Sequence, residues 1–165
     1  MAHINELYDF TASGYIIHPT ELKLCLHYHR KYDKWMQPGG HIELDEDPIQ
    51  ALTHELEEEA GLKPDDYKIL QQYRPPETTG STSILNPAFT NIHVTDKPSH
   101  RHIDLAYVIR SKTTELTPQE RESQKIGWFS LSEIQDMSSQ ETIHIDTEQI
   151  ANWIFDNLPS FSPVS

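Results

Sequence analysis

Between Pro38 and Pro64 the chain is punctuated so firmly that it admits one local structure. Pro38, Gly39 and Gly40 break any regular element and force a turn followed by a brief extended run. Asp47 then offers an N-cap, Pro48 suits the first helical position, and Gln50 stands where a capping-box partner belongs. Gly61, followed by Pro64, ends what began there. Inside these stops Ile49, Leu52, Leu56 and Ala60 recur at spacings of three and four. That single apolar stripe asks for a sheet to pack against.

Strands are legible on both sides of this helix. Residues 11–18, TASGYIIH, read as extended, and Pro19-Thr20-Glu21 turns them back into residues 22–29, LKLCLHYH. In the second run Leu22, Leu24, Leu26 and Tyr28 alternate with Lys23, Cys25, His27 and His29, which predicts a hairpin strand with one buried face. Residues 67–74 form a further strand, and residues 75–99 a long connection with a short strand at about 89–94. A connection of that length in a compact domain tends to be functional. Residues 102–110, HIDLAYVIR, put Ile103, Leu105, Tyr107 and Ile109 on one face, while His102 and Asp104 open the other. Residues 125–130 predict a short strand running into a turn at LSEI. Asp146 is placed to cap a last amphipathic helix bearing Ile150, Ile154 and Leu158, and the end from about residue 159 to 165 is expected to fray. At 165 residues, without internal repeats, this is one domain.

The charge balance narrows the partners. Twenty-six acidic against thirteen basic residues give a formal net charge of -13, a mean field that repels nucleic acid polymers. A small phosphorylated molecule remains admissible where a divalent cation or a local basic group neutralises the field. Cys25 is the single cysteine, which excludes an internal disulfide and fits a reducing, cytoplasmic compartment. The N-terminus reads as neither signal peptide nor membrane anchor, and no apolar run is long enough to span a bilayer.

On the central helix Glu55, Glu58 and Glu59 share a face, while Glu57 points elsewhere. Each like-charged neighbour pair costs about a few tenths of a kcal/mol, so the cluster asks for a cation. An acidic run alone is ordinarily a solvated face; here the fixed punctuation decides otherwise. Gly40, Glu46, Glu55, Leu56, Glu58, Glu59, Gly61 and Leu62 match eight of the nine fixed positions of G-x5-E-x7-R-E-U-x-E-E-x-G-U, with U aliphatic. Residues 40–62 therefore resemble the signature of the Nudix hydrolase (MutT-like) superfamily. The departure is His54, where that signature has arginine.

The resemblance implies an α/β/α sandwich with a mixed central sheet. It also implies that Glu55, Glu58 and Glu59, with the Gly40 carbonyl, bind Mg²⁺ or Mn²⁺. The implied reaction is hydrolysis of a phosphoanhydride bond in a nucleoside diphosphate linked to another group, with Glu58 or Glu55 available to take the water's proton. Oxygen donors of this kind suit hard divalent cations. Glu46 reads as a structural partner near the helix, and His54 is shorter than arginine and lacks its bidentate fork. That departure leaves a rival from another class, a Nudix-fold ligand-binding or sensor module without catalysis.

Outside the signature, His100, His102 and Asp104 alternate and so share a strand face, either as a second metal or substrate site or as solvated groups. Arg74 and Arg101 are candidates for gripping phosphate, or else surface ion-pair residues. Trp35, Tyr73 and Phe89 suit either base stacking or packing. A homodimer is admitted but not specified.

Overall fold

The structure is a computed structural model that describes residues 7–95 and 99–164. Residues 1–6, 96–98 and 165, among them part of the long connection before His100 and the last residue of the tail, lie outside the described residues. The elements run β1 (Tyr8–Ile17), β2 (Lys23–His29), β3 (Lys34–Met36), β4 (Gly39–His41), α1 (Pro48–Ala60), β5 (Tyr67–Gln71), β6 (Phe89–Val94), β7 (Arg101–Ser111), β8 (Ile126–Ser130), α2 (Leu131–Ser139), α3 (Ile145–Asn157) and β9 (Ser162–Pro163).

One mixed sheet organises the chain. Its main path is β3-β2-β1-β7-β5-β9, with β4 paired to β1, β6 to β7 and β8 to β2. β1 and β7 run parallel over their whole length, from Tyr8 beside Arg101 to Ile17 beside Arg110, and the other pairings are antiparallel. The alternation of side chains along these two strands separates two cores. Ala12, Ile16, Tyr107 and Ile109 pack with Leu52, Leu56 and Ala60 of α1. Tyr15, Ile17, Ala106 and Val108 pack on the other side with Ile134 of α2 and Ala151 and Ile154 of α3. The result is the expected α/β/α sandwich.

Several local expectations change in this setting. β2 is flanked by β1, β3 and β8, so Leu24, Cys25, Leu26 and His27 are all buried and its two faces do not divide into inside and outside. Leu22 falls before the strand and is largely exposed. The expected turn at LSEI is the start of α2, where Ser130 and Glu133 form a capping box. Asp146 does not cap α3; His144 occupies that position without a side-chain hydrogen bond, and Asp146 sits in the first turn. The tail is tied down instead of frayed, because Phe161 is buried in the second core and β9 pairs with β5.

Candidate active site

The helix that dominates the sequence forms as its caps dictate. Asp47 accepts hydrogen bonds from the amides of Ile49 and Gln50, and the Asp47 amide donates to Gln50 Oε1. Gly61 closes the helix at φ 72°, in the left-handed region, with its amide donating back to the last turn. Leu52 and Leu56 are fully buried under β1, and this fixes the rotation of α1. That rotation turns Glu55 and Glu59 toward the short strand β4.

β4 and α1 meet without room to spare. A methyl group at Gly40 would lie 2.0 Å from a carboxylate oxygen of Glu55, so the absent side chain is what lets the carboxylate reach the strand. The Gly39 amide donates to Glu59 Oε2 at 2.9 Å. The Nε2 atom of His27, a buried residue of β2, stands 3.4 Å from that same oxygen. Glu58 faces outward and pairs with Arg121, which also lies 3.6 Å from Glu122. The three glutamates are thus differently held: Glu59 is anchored by β4, Glu55 is pressed over Gly40, and Glu58 is bound by a guanidinium.

Burial sets the electrostatics. It raises Glu59 to about 8, against the lowering effect of the Gly39 amide, with Glu55, Glu122 and Glu58 adding repulsion. Burial likewise raises Glu55 to about 7, helped by the charges of Glu58, Glu122 and Glu46. His27 moves the opposite way, to about 4, because burial disfavours its charged form. An uncharged imidazole beside Glu59 supplies contact without neutralisation. Two desolvated carboxylates and their anionic neighbours therefore share one carboxylate-rich crevice, the environment that a hard divalent cation relieves.

The NUDIX domain family model matches residues 10–153, which include the sheet apart from β9 and the first two residues of β1, together with α1, α2 and most of α3. The chain belongs to the Nudix superfamily. A Nudix-family hydrolase from Clostridium perfringens is 30% identical, with a TM-score of 0.73 over 91% of this chain and 97% of that one. An Ap4A hydrolase from C. elegans shares the fold at 14% identity, with a TM-score of 0.68 over 93% of this chain and 99% of that one. The m7GpppN-mRNA hydrolase NUDT17 of Xenopus laevis is 30% identical over 101 residues, 58% of this chain. This chain spans 31% of that relative's length.

Within the Nudix box, His54 Nδ1 contacts Glu46 Oε1, and the other Glu46 oxygen accepts from the Glu43 amide. The histidine thus meets Glu46 and not the glutamates of the crevice. Arg74 is exposed after β5 and Arg101 is exposed at the start of β7; the guanidinium that meets the acidic helix is Arg121. Trp35 packs edge-on against Phe129, and Phe89 packs against Trp153, both in the second core, whereas Tyr73 is exposed.

The expected trio on β7 is not brought together as drawn. His102 and Asp104 do share a face, but the Asp104 carboxylate is buried and accepts from Thr11 Oγ1 at 2.8 Å and Ser13 Oγ at 2.7 Å. Asp9, one strand away on β1, stands beside His100 in its place. Sequence reasoning also missed His27, Arg121 and Glu122. His27 carried a weak signal, a histidine in an otherwise apolar strand. Arg121 and Glu122 carried none, since the chain reaches α1 there only through its fold.

Proposed function

We propose that the chain is a divalent-metal-dependent pyrophosphohydrolase that cleaves a phosphoanhydride bond in a nucleoside diphosphate derivative. The observation that carries this reading is the gathering of half-buried Glu55 and buried Glu59 under Gly39 and Gly40, both raised in pKa, with Glu58 beside them. Those carboxylates and the Gly40 carbonyl are the groups that would hold Mg²⁺ or Mn²⁺. When bound, the ion supplies charge neutralisation, polarisation at phosphorus and a more acidic attacking water.

The chain's own residues divide the remaining work. Glu59, fixed by the Gly39 amide, serves as the rigid ligand. Glu55 and Glu58, which have no backbone anchor, are the groups available to accept the water's proton. Arg121 is positioned to pass from Glu58 to a substrate phosphate, where a guanidinium makes a forked contact. Contact with His54 holds Glu46, which in turn accepts the Glu43 amide in the loop between β4 and α1. Membership of a hydrolase superfamily and the likeness to an m7GpppN-mRNA hydrolase support a nucleotide substrate.

The test is product release across a panel of nucleoside diphosphate derivatives with Mg²⁺ or Mn²⁺, comparing the native chain with Glu58→Gln and Glu59→Gln. Metal-dependent turnover that both variants lose is the expected result. Turnover that persists in a chelator, or that both variants retain, would sink the reading.

A further inference from the structure

The opposite face of the sheet carries a cluster that the Nudix chemistry does not use. Asp9 on β1 and His102 on β7 are direct neighbours in the parallel ladder. His41 on β4 sits across from Thr11, two residues further along β1 and so on the same face as Asp9. His100 reaches the group from the segment just before β7. His41 Nε2 is 3.2 Å from His102 Nε2 and 3.7 Å from Asp9 Oδ2, and His100 Nε2 is 3.2 Å from the same Asp9 oxygen.

We propose that Asp9, His41, His100 and His102 form a tetrahedral binding site for a transition-metal dication of the Zn²⁺ class, separate from the carboxylate crevice. All four ligand atoms lie within 4.8 Å of one another. Metal bonds of about 2.0–2.1 Å in a tetrahedron set ligand atoms roughly 3.3–3.4 Å apart, close to the three separations above. The donor set, three imidazole nitrogens and one carboxylate oxygen, is chemically distinct from the carboxylate-rich crevice and suits Zn²⁺ over Mg²⁺.

A second observation points to an ion independently of the spacing. Asp9 is buried, and its Oδ1 atom has no hydrogen-bond partner among the described residues. A buried carboxylate oxygen left in this way is expensive unless a cation compensates it. The imidazoles also meet edge-on, His41 and His100 each against His102, with centroids 4.7 and 5.3 Å apart, so their nitrogens converge instead of the rings stacking.

Such an ion would clip three stretches of chain that are remote in sequence, around Asp9, His41 and residues 100–102. It would also reach the crevice mechanically, because His41 directly follows Gly40: the two residues of β4 point to opposite faces, one at the site and one at Glu55. The site is therefore a staple for the strand against which the catalytic glutamates are registered.

The experiment is Co²⁺ and Zn²⁺ titration of the full chain after chelator stripping, read by the visible ligand-field absorption of four-coordinate Co²⁺ and by thermal melting. One equivalent of Co²⁺ should give the intense tetrahedral spectrum, Zn²⁺ should displace it, and Zn²⁺ should raise the melting temperature. Glu58→Gln and Glu59→Gln should leave all three unchanged. His100→Ala should lower Zn²⁺ affinity by more than about 100-fold, the upper end of what losing a mere outer-shell partner does. His102→Ala should do the same, and because His100 lies outside the strands its variant stays informative should His102→Ala fail to fold. A weak octahedral spectrum, a signal that His100→Ala retains, or one that Glu59→Gln abolishes would overturn the proposal.

Discussion

The two faces of β4 teach how one strand can serve two chemistries. On the α1 side Gly40 gives way to Glu55, and the crevice offers oxygen donors drawn mainly from one helix. On the α2 and α3 side His41 joins a nitrogen-rich group assembled from β1, β4, β7 and the segment before β7. The first is built from contiguous sequence and the second from long-range register. A sheet separates them, so hard and borderline cations can be sorted by ligand type.

The largest effect expected from breaking this comparison is on turnover. Glu59→Gln removes the carboxylate of the crevice that the Gly39 amide anchors, and steady-state kinetics should show a loss of more than about 100-fold, beyond what loss of an orienting neighbour causes. Thermal stability should change little or rise, because a buried carboxylate raised to about 8 is replaced by a neutral isostere.

Gly40→Ala asks whether the faces are coupled through β4. The added methyl would displace the end of the flexible Glu55 side chain, the atom it meets at 2.0 Å. Activity should fall by about 10-fold while the melting temperature moves by only a few degrees, consistent with surface-level cost elsewhere. A collapse in stability with the crevice geometry intact would contradict this account.

The pH dependence of stability separates the crevice carboxylates from the buried imidazoles by sign. Glu55 and Glu59 have folded pKa values of about 7 and about 8, above the ordinary 4.5, so the folded state holds their protons more tightly. Their contribution is present at low pH and is lost as pH rises through that window. His27 and His102, both lowered to about 4 by burial, act oppositely and add stability as pH rises from about 4 to their ordinary 6.5. Between about 6.5 and 8 the glutamates set the slope; at higher pH the buried Cys25 thiol and the buried tyrosines, raised by burial, act in the same direction. Metal-free protein should therefore lose on the order of 5 °C in melting temperature between about pH 6.5 and 8.5, and saturating Mg²⁺ should abolish the slope. A flat profile without metal would exclude the crevice as a desolvated anionic site.

The smallest effect belongs to the most local feature. Asp47→Ala removes the cap of α1 and should cost about 1 kcal/mol in chemical denaturation without changing the turnover number. A larger loss in turnover would mean that the cap positions the glutamates more directly than the packing of Leu52 and Leu56 does.

Much of this protein was legible along the chain because its signals are short-ranged. The cap at Asp47, the stop at Gly61, the stripe of Leu52 and Leu56 and the acidic positions between them act within a few residues of one another, and the helix forms as that pattern dictates. The short strands expected at about 89–94 and at 125–130 also form, as Phe89–Val94 and Ile126–Ser130. The start of α2 was missed because its capping box at Ser130 and Glu133 looks like a turn until the helix continues.

What only the tertiary structure decided is which distant groups meet. Asp104 and Asp9 are the same residue type and both are buried in strands, yet the hydroxyls of Thr11 and Ser13 satisfy the first and His41 and His100 flank the second. Arg121 reaches Glu58 across 63 residues of sequence, and His27 reaches Glu59 because β2 and β4 both pair with β1. Helix periodicity and capping are properties of neighbours in the chain, so sequence carries them directly. Cross-strand partners depend on register, which is fixed by the simultaneous burial of both sheet faces and by no single segment.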